Sequence, residues 1–123
     1  ENVNFILESM AKEIRVGQIA GPDNKCPSSP ADLLSFQHPV NGAIQYLLDG
    51  GTHMIMRSVN GVRNPISSNT VEFTRLKFCI TGTQLNDKLQ PRVTIMATVR
   101  SKNAVQQSTV DIQTTLSQRF LID

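Results

Sequence analysis

Apolar residues recur at helical spacing at the start of the chain and at strand spacing through most of the rest. Over residues 1–17, ENVNFILESMAKEIRVG, the residues Val3, Ile6, Leu7, Met10 and Ile14 fall on one stripe, the pattern of a helix with one covered face. Glu8, Lys12 and Arg15 fall on the other side, and Glu8 and Lys12 are spaced as a favourable i,i+4 pair. Gly17 stands where a helix C-terminus is expected. The stripe opens without an N-cap signal of its own, so the expectation is a helix whose earlier part has been removed. Residues 18–32, QIAGPDNKCPSSPAD, carry Gly21, Pro22, Pro27 and Pro30 among small polar residues and read as a loop.

Strand patterns follow, with turn signals between them. Leu33–Gln37 is short and stops before Pro39; Ala43–Leu48 closes at Asp49-Gly50-Gly51. Thr52–Val59 closes at Asn60-Gly61, the strongest hairpin signal in the chain. Pro65 and Ser67-Ser68-Asn69 are read as breaks. Val71–Thr81 is long but slips phase: Val71 and Phe73 are odd, while Leu76, Phe78 and Ile80 are even. A bulge near Thr74-Arg75 reconciles them. Arg92–Arg100 alternates cleanly, with Val93, Ile95, Ala97 and Val99 on one face and Thr94, Met96, Thr98 and Arg100 on the other. Thr109–Ser117 alternates again through Val110, Ile112, Thr114 and Leu116. Such alternation belongs to a sheet with one covered face, hence an antiparallel one. The fold class is α+β: one N-terminal helix packed on one meandering antiparallel sheet. The 123 residues form a single domain, with helix 1–17, loop 18–32 and sheet region 33–123.

Composition narrows the classes. Apolar residues at 39% and charged residues at 18% suit an ordinary globular domain. The net charge of +2 comes from scattered, interleaved charges, a solvated mixed surface rather than a nucleic-acid groove. No run of apolar residues is long enough to span a membrane.

Candidate chemistry is sparse. His38, His53, Cys26 and Cys79 could make a zinc set on paper, but their spacing matches no local finger or ribbon. His38 beside Pro39 reads as a loop residue and His53 as a strand residue. Gln84, Asn86 and Asp87 supply oxygen ligands in a turn, without the spacing of a calcium loop. No phosphate loop, nucleophile elbow or metalloprotease motif is present. No cofactor, catalytic residue or metal ligand is expected. The two cysteines are not a C-x-x-C pair. A disulfide in an oxidising compartment and two buried free thiols both fit them.

The segment NVNFILESMAKEIRVG resembles the amphipathic second half of the long N-terminal helix of type IV pilin-like proteins. The later run is similar in order and spacing to minor pilins and to minor pseudopilins related to the J subunit of type II secretion. It reads IQYLLDGGTHMIMRSVNG, NPISSNTVEFTRLKFCITG, QPRVTIMATVRS and VDIQTTLSQR. The matching pieces are Pro65–Ser68, Val71–Ile80, Gln90–Ile95 and Gln113–Arg119. The resemblance covers most of residues 2–119 apart from 18–32. Glu1 is not the early glutamate of that family's apolar half-helix.

That resemblance implies a non-catalytic structural subunit, minor pilin or pseudopilin, of a type IV pilus or secretion filament. Its partners would be other pilin or pseudopilin subunits and the inner-membrane assembly machinery, reached through a removed apolar helix. Its place would be the periplasm or cell surface, with the precursor anchored in the cytoplasmic membrane. An oxidising compartment would favour the Cys26–Cys79 bond, worth on the order of 4 kcal/mol for a loop of that length. Cys79 lies between Phe78 and Ile80, so Cys26 would have to reach the opposite face. A cell-surface or secreted binding module is the alternative; an enzyme would need His38 or His53 joined with an acid in a pocket.

Overall fold

The computed structural model describes residues 3–19, 30–68, 70–81, 92–101 and 109–117, and only the backbone of Ser101 and 109–117. Cys26, the turn at Gln84–Asp87 and the ends of the chain lie outside the described residues.

Helix α1 spans Val3–Val16 and buries Ile6, Leu7, Met10, Ala11 and Ile14. Val3 packs at the margin of that face, and Glu8, Lys12 and Arg15 are exposed. The helix ends at Gly17, whose N–H donates to Ile14 O at 3.0 Å. Gly17 serves packing: the Phe36 ring occupies the space a Cβ would need. Its φ is not among the positive ones, so it is not the left-handed cap expected there.

Among the described residues seven strands follow, all paired antiparallel: β1 Leu34–His38, β2 Gly42–Asp49, β3 Met54–Val59, β4 Val62–Pro65, β5 Val71–Thr81, β6 Arg92–Ser101 and β7 Thr109–Ser117. They form two sheets, β1-β2-β3-β4 and β5-β6-β7, where one was expected. The division falls at residues 66–70. Ile66 extends the β3–β4 register by one rung, and the Ser67 side chain then takes the Ile55 N–H, which ends the ladder. Ile66 N–H donates to Ile55 O, and Ile55 N–H to Ser67 Oγ, each at 2.9 Å. The sheets then meet where Phe73 N–H donates to His53 O at 2.9 Å.

Pro65 falls at the expected break. It is the last residue of β4, an edge strand exposed along its length, where proline is tolerated. Asn60-Gly61 turns β3 into β4, with φ of 50° and 91°, both positive as a tight hairpin turn requires. In β5 the register steps from Phe73↔Val99 to Arg75↔Thr98, leaving Thr74 unpaired in the ladder. That bulge brings Phe73, Leu76 and Phe78 to one buried face. On β6 the covered residues are Val93, Ile95, Ala97 and Val99.

Among the described residues a core lies between α1 and both sheets, built on Met10, Ile14, Leu34, Ile44, Tyr46, Ile55, Phe73 and Phe78 among others. Each such large apolar side chain contributes roughly 1.5–3 kcal/mol on leaving water.

Candidate functional site

One polar cluster sits inside the helix–sheet seam. Glu13 is on α1, Asn41 in the β1–β2 turn, Tyr46 on β2 and Arg57 on β3. Tyr46 and Arg57 are register partners on neighbouring strands, and Arg57 is in phase with Ile55 and Val59, so it points to the helix side of the sheet. There the Glu13 carboxylate accepts the Tyr46 hydroxyl, Arg57 Nε at 2.9 Å, Arg57 Nη2 at 2.5 Å and Asn41 Nδ2 at 2.8 Å. The Glu13 side chain is 11% exposed and that of Arg57 29%.

Two opposed effects set the ionisation of Glu13. Burial pushes its pKa up, but hydrogen bonds from Arg57, Tyr46 and Asn41 and the Arg57 charge outweigh it and hold the group at about 2. Burial pushes the Tyr46 phenol strongly upward, and the carboxylate beside it adds to the rise. The hydrogen bonds to Glu13 raise the Arg57 pKa. The carboxylate thus stays charged and the phenol stays protonated. A carboxylate accepting from that many donors is engaged in fastening α1 to the sheet; using it as a base would mean dismantling the seam.

A groove of about 420 Å³ runs beside the cluster, lined by Phe5, Ile6, Ser9, Glu13, Tyr46, Arg57 and Ile66. Phe5, Ser9 and Glu13 are spaced i, i+4, i+8 and form its helical wall. Phe5 is 67% exposed there.

The histidines stand at opposite ends of β2. His38 closes β1, and its Nδ1 accepts the N–H of Val40 at 3.1 Å and of Asn41 at 3.0 Å, which fixes the β1–β2 turn rather than leaving His38 in a loop. His53 is not a strand residue: it lies in the β2–β3 turn at φ 59°. The Asp49 carboxylate accepts from Gly51 and Thr52, and Asp49 O accepts His53 N–H at 2.8 Å. This closes a wider turn than the glycine pair suggested. The His53 ring lies 3.7 Å from Glu72, which also meets Arg100 at 3.4 Å. Among the described residues no group of His, Cys, Asp and Glu could hold a metal ion. Cys79 is disulfide-bonded, and Cys26 lies outside the described residues.

Sequence reasoning missed Glu13, Asn41, Tyr46 and Arg57. A signal for two of them existed. Glu13 follows Met10 by three residues on the buried side of α1, and Arg57 shares phase with Ile55 and Val59. A charge in phase with apolar positions marks a buried ion pair. Its partner could not be read, since the contacts span 28 to 44 residues.

No helix among the described residues is long and apolar enough to cross a membrane. No family model, no curated protein and no solved structure matches the chain.

Proposed function

We propose that this α+β module is the globular part of a pilin-like filament subunit, a minor pilin or pseudopilin with a structural and non-catalytic role. The observation that carries the reading is the seating of α1. The helix is sealed along its inner face and clamped by Glu13 to two strands and a turn, so a load on the helix passes directly to the sheet. A helix that ties a globular head to a filament needs this property. The order of strand motifs resembling minor pilins supports it, and so does the disulfide at Cys79, which suits a periplasmic or surface location. Its partners would then be other pilin-like subunits and, through an apolar helix, the assembly machinery of the inner membrane.

The natural reading frame upstream of Glu1 tests the proposal. A prepilin-peptidase site followed by about 20 apolar residues, enough for one span, is the expected finding. Its absence from the full gene would overturn the filament reading. A surface binding module is the second reading, favoured by the groove beside the exposed Phe5. It predicts full complementation of a gene deletion by the domain without any upstream helix.

A further inference from the structure

Among the described residues the two sheets leave four outer strands, and the chain treats them differently. On β1, Gln18 N–H donates to Gln37 O at 2.9 Å and Gln37 N–H to Gln18 O at 3.0 Å, so part of that edge is occupied. β4 has only four residues and ends on Pro65, a short strand with a missing donor. β5 exchanges bonds of 2.8 Å in both directions between Phe78 and Ala31, and gives Phe73 N–H to His53 O. β7 differs from all of these. It runs for nine residues, TVDIQTTLS, with no proline and no basic residue. Among the described residues it pairs only with β6. A strand of that length at a sheet edge presents a row of N–H and C=O groups to any extended chain.

We propose that β7 pairs antiparallel with β7 of a second copy, about a two-fold axis through Gln113. The strand is complementary to itself in this register. Val110 meets the second copy's Leu116, Ile112 meets Thr114, and Thr109 meets Ser117. Asp111, the one charged residue of the strand, meets Thr115, so no like charges oppose each other. Val110, Ile112, Thr114 and Leu116 occupy the register positions opposite Val99, Ala97, Ile95 and Val93, the buried row of β6. The two-fold keeps that row on one side of a continuous sheet made of three strands from each copy. Moving the axis to Ile112 would set Val110 against Thr114 and lose the match with Leu116. Such a contact closes on itself and does not depend on the filament reading.

Gln113 sits at the axis, in register with Met96 on the face away from the buried row. Substituting it places identical residues directly opposite each other, at a register position outside the buried row. The test is sedimentation of the 123-residue chain from micromolar to sub-millimolar concentration, for wild type, Gln113→Lys, Gln113→Glu and an equal mixture of the two variants. The wild type should dimerise reversibly. Each variant alone should associate roughly five-fold or more weakly, from a lost cross-strand pair and like-charge opposition. The mixture should recover or exceed wild-type association, since Lys then faces Glu. A wild type that stays monomeric throughout overturns the proposal. So does a dimer indifferent to both variants, or a mixture that stays as weak as its components. Amide exchange on the wild type gives a readout free of any folding defect: protection of 109–117 should rise with concentration, and unchanged protection counts against the contact.

Discussion

The inner face of α1 and its flank at Glu13 fasten the same helix by different physics. The face is apolar: Met10 and Ile14 are fully buried and Ile6 and Leu7 nearly so. It gains from removing surface from water and asks little of direction. The flank is a carboxylate held by a phenol, a guanidinium and an amide from three other parts of the chain. It gains only when every partner is placed, and a half-made version would cost more than none. The face therefore supplies most of the attachment. The flank fixes the rotation and the height at which the helix sits, because an apolar stripe alone tolerates small slides.

The largest effect separating the two is expected at the face. Met10→Ala removes a fully buried side chain and should cost roughly 2–4 kcal/mol, from lost transfer energy plus the cavity left behind. The midpoint of chemical denaturation measures it. An unchanged midpoint would mean that the helix is not held by its stripe.

The flank should give a smaller loss with a distinct signature. Glu13→Gln keeps the shape but leaves Arg57 partly buried with no counter-charge. It should cost about 1–3 kcal/mol. The pH dependence carries the sign. The folded pKa of Glu13, about 2, lies below its ordinary value of 4.5, so its stabilisation is full above about pH 4.5 and is lost as pH falls through about 2. Wild type should outlast Glu13→Gln at neutral pH, and the gap should close on acidification. A gap independent of pH between 7 and about 2 would show that the carboxylate charge is not what the seam uses.

The same contrast explains what could be read in advance. Helix, strand order, bulge and hairpin follow from local periods and from Asn60-Gly61, features carried within a few residues. The division into two sheets did not show, because the bonds that mark it join Ser67 to Ile55 and Phe73 to His53. Nor did the turn at His53, whose bonds from Gly51, Thr52 and His53 converge on Asp49. The clamp needed three long-range partners at once. A lone polar residue in an apolar phase signals that such a cluster exists but not which residues complete it.

Trimming the clamp by one donor should cost less. Tyr46→Phe removes the hydroxyl and leaves Arg57 and Asn41 on Glu13. A loss of about 0.5–1.5 kcal/mol is expected. The Glu13 pKa should rise with it, since one of the bonds holding it down is gone. Carboxyl titration followed by NMR reads this directly. A Glu13 that titrates unchanged would place its control with Arg57 and Asn41.

The smallest effect comes from the same residue type one turn and a little more up the helix. Glu8 and Glu13 are both helical carboxylates, but Glu8 is exposed and lies on the side away from the sheet. Water already solvates it, so replacing its charge removes at most a weak surface interaction with Lys12. Glu8→Gln should shift stability by no more than about 0.5 kcal/mol in either direction. Measured beside Glu13→Gln, it separates position from chemistry. If the two variants lose equal stability, helix charge in general is responsible, and the clamp with Tyr46, Arg57 and Asn41 has no special weight. If Glu8→Gln is silent while Glu13→Gln is not, the difference belongs to the seam.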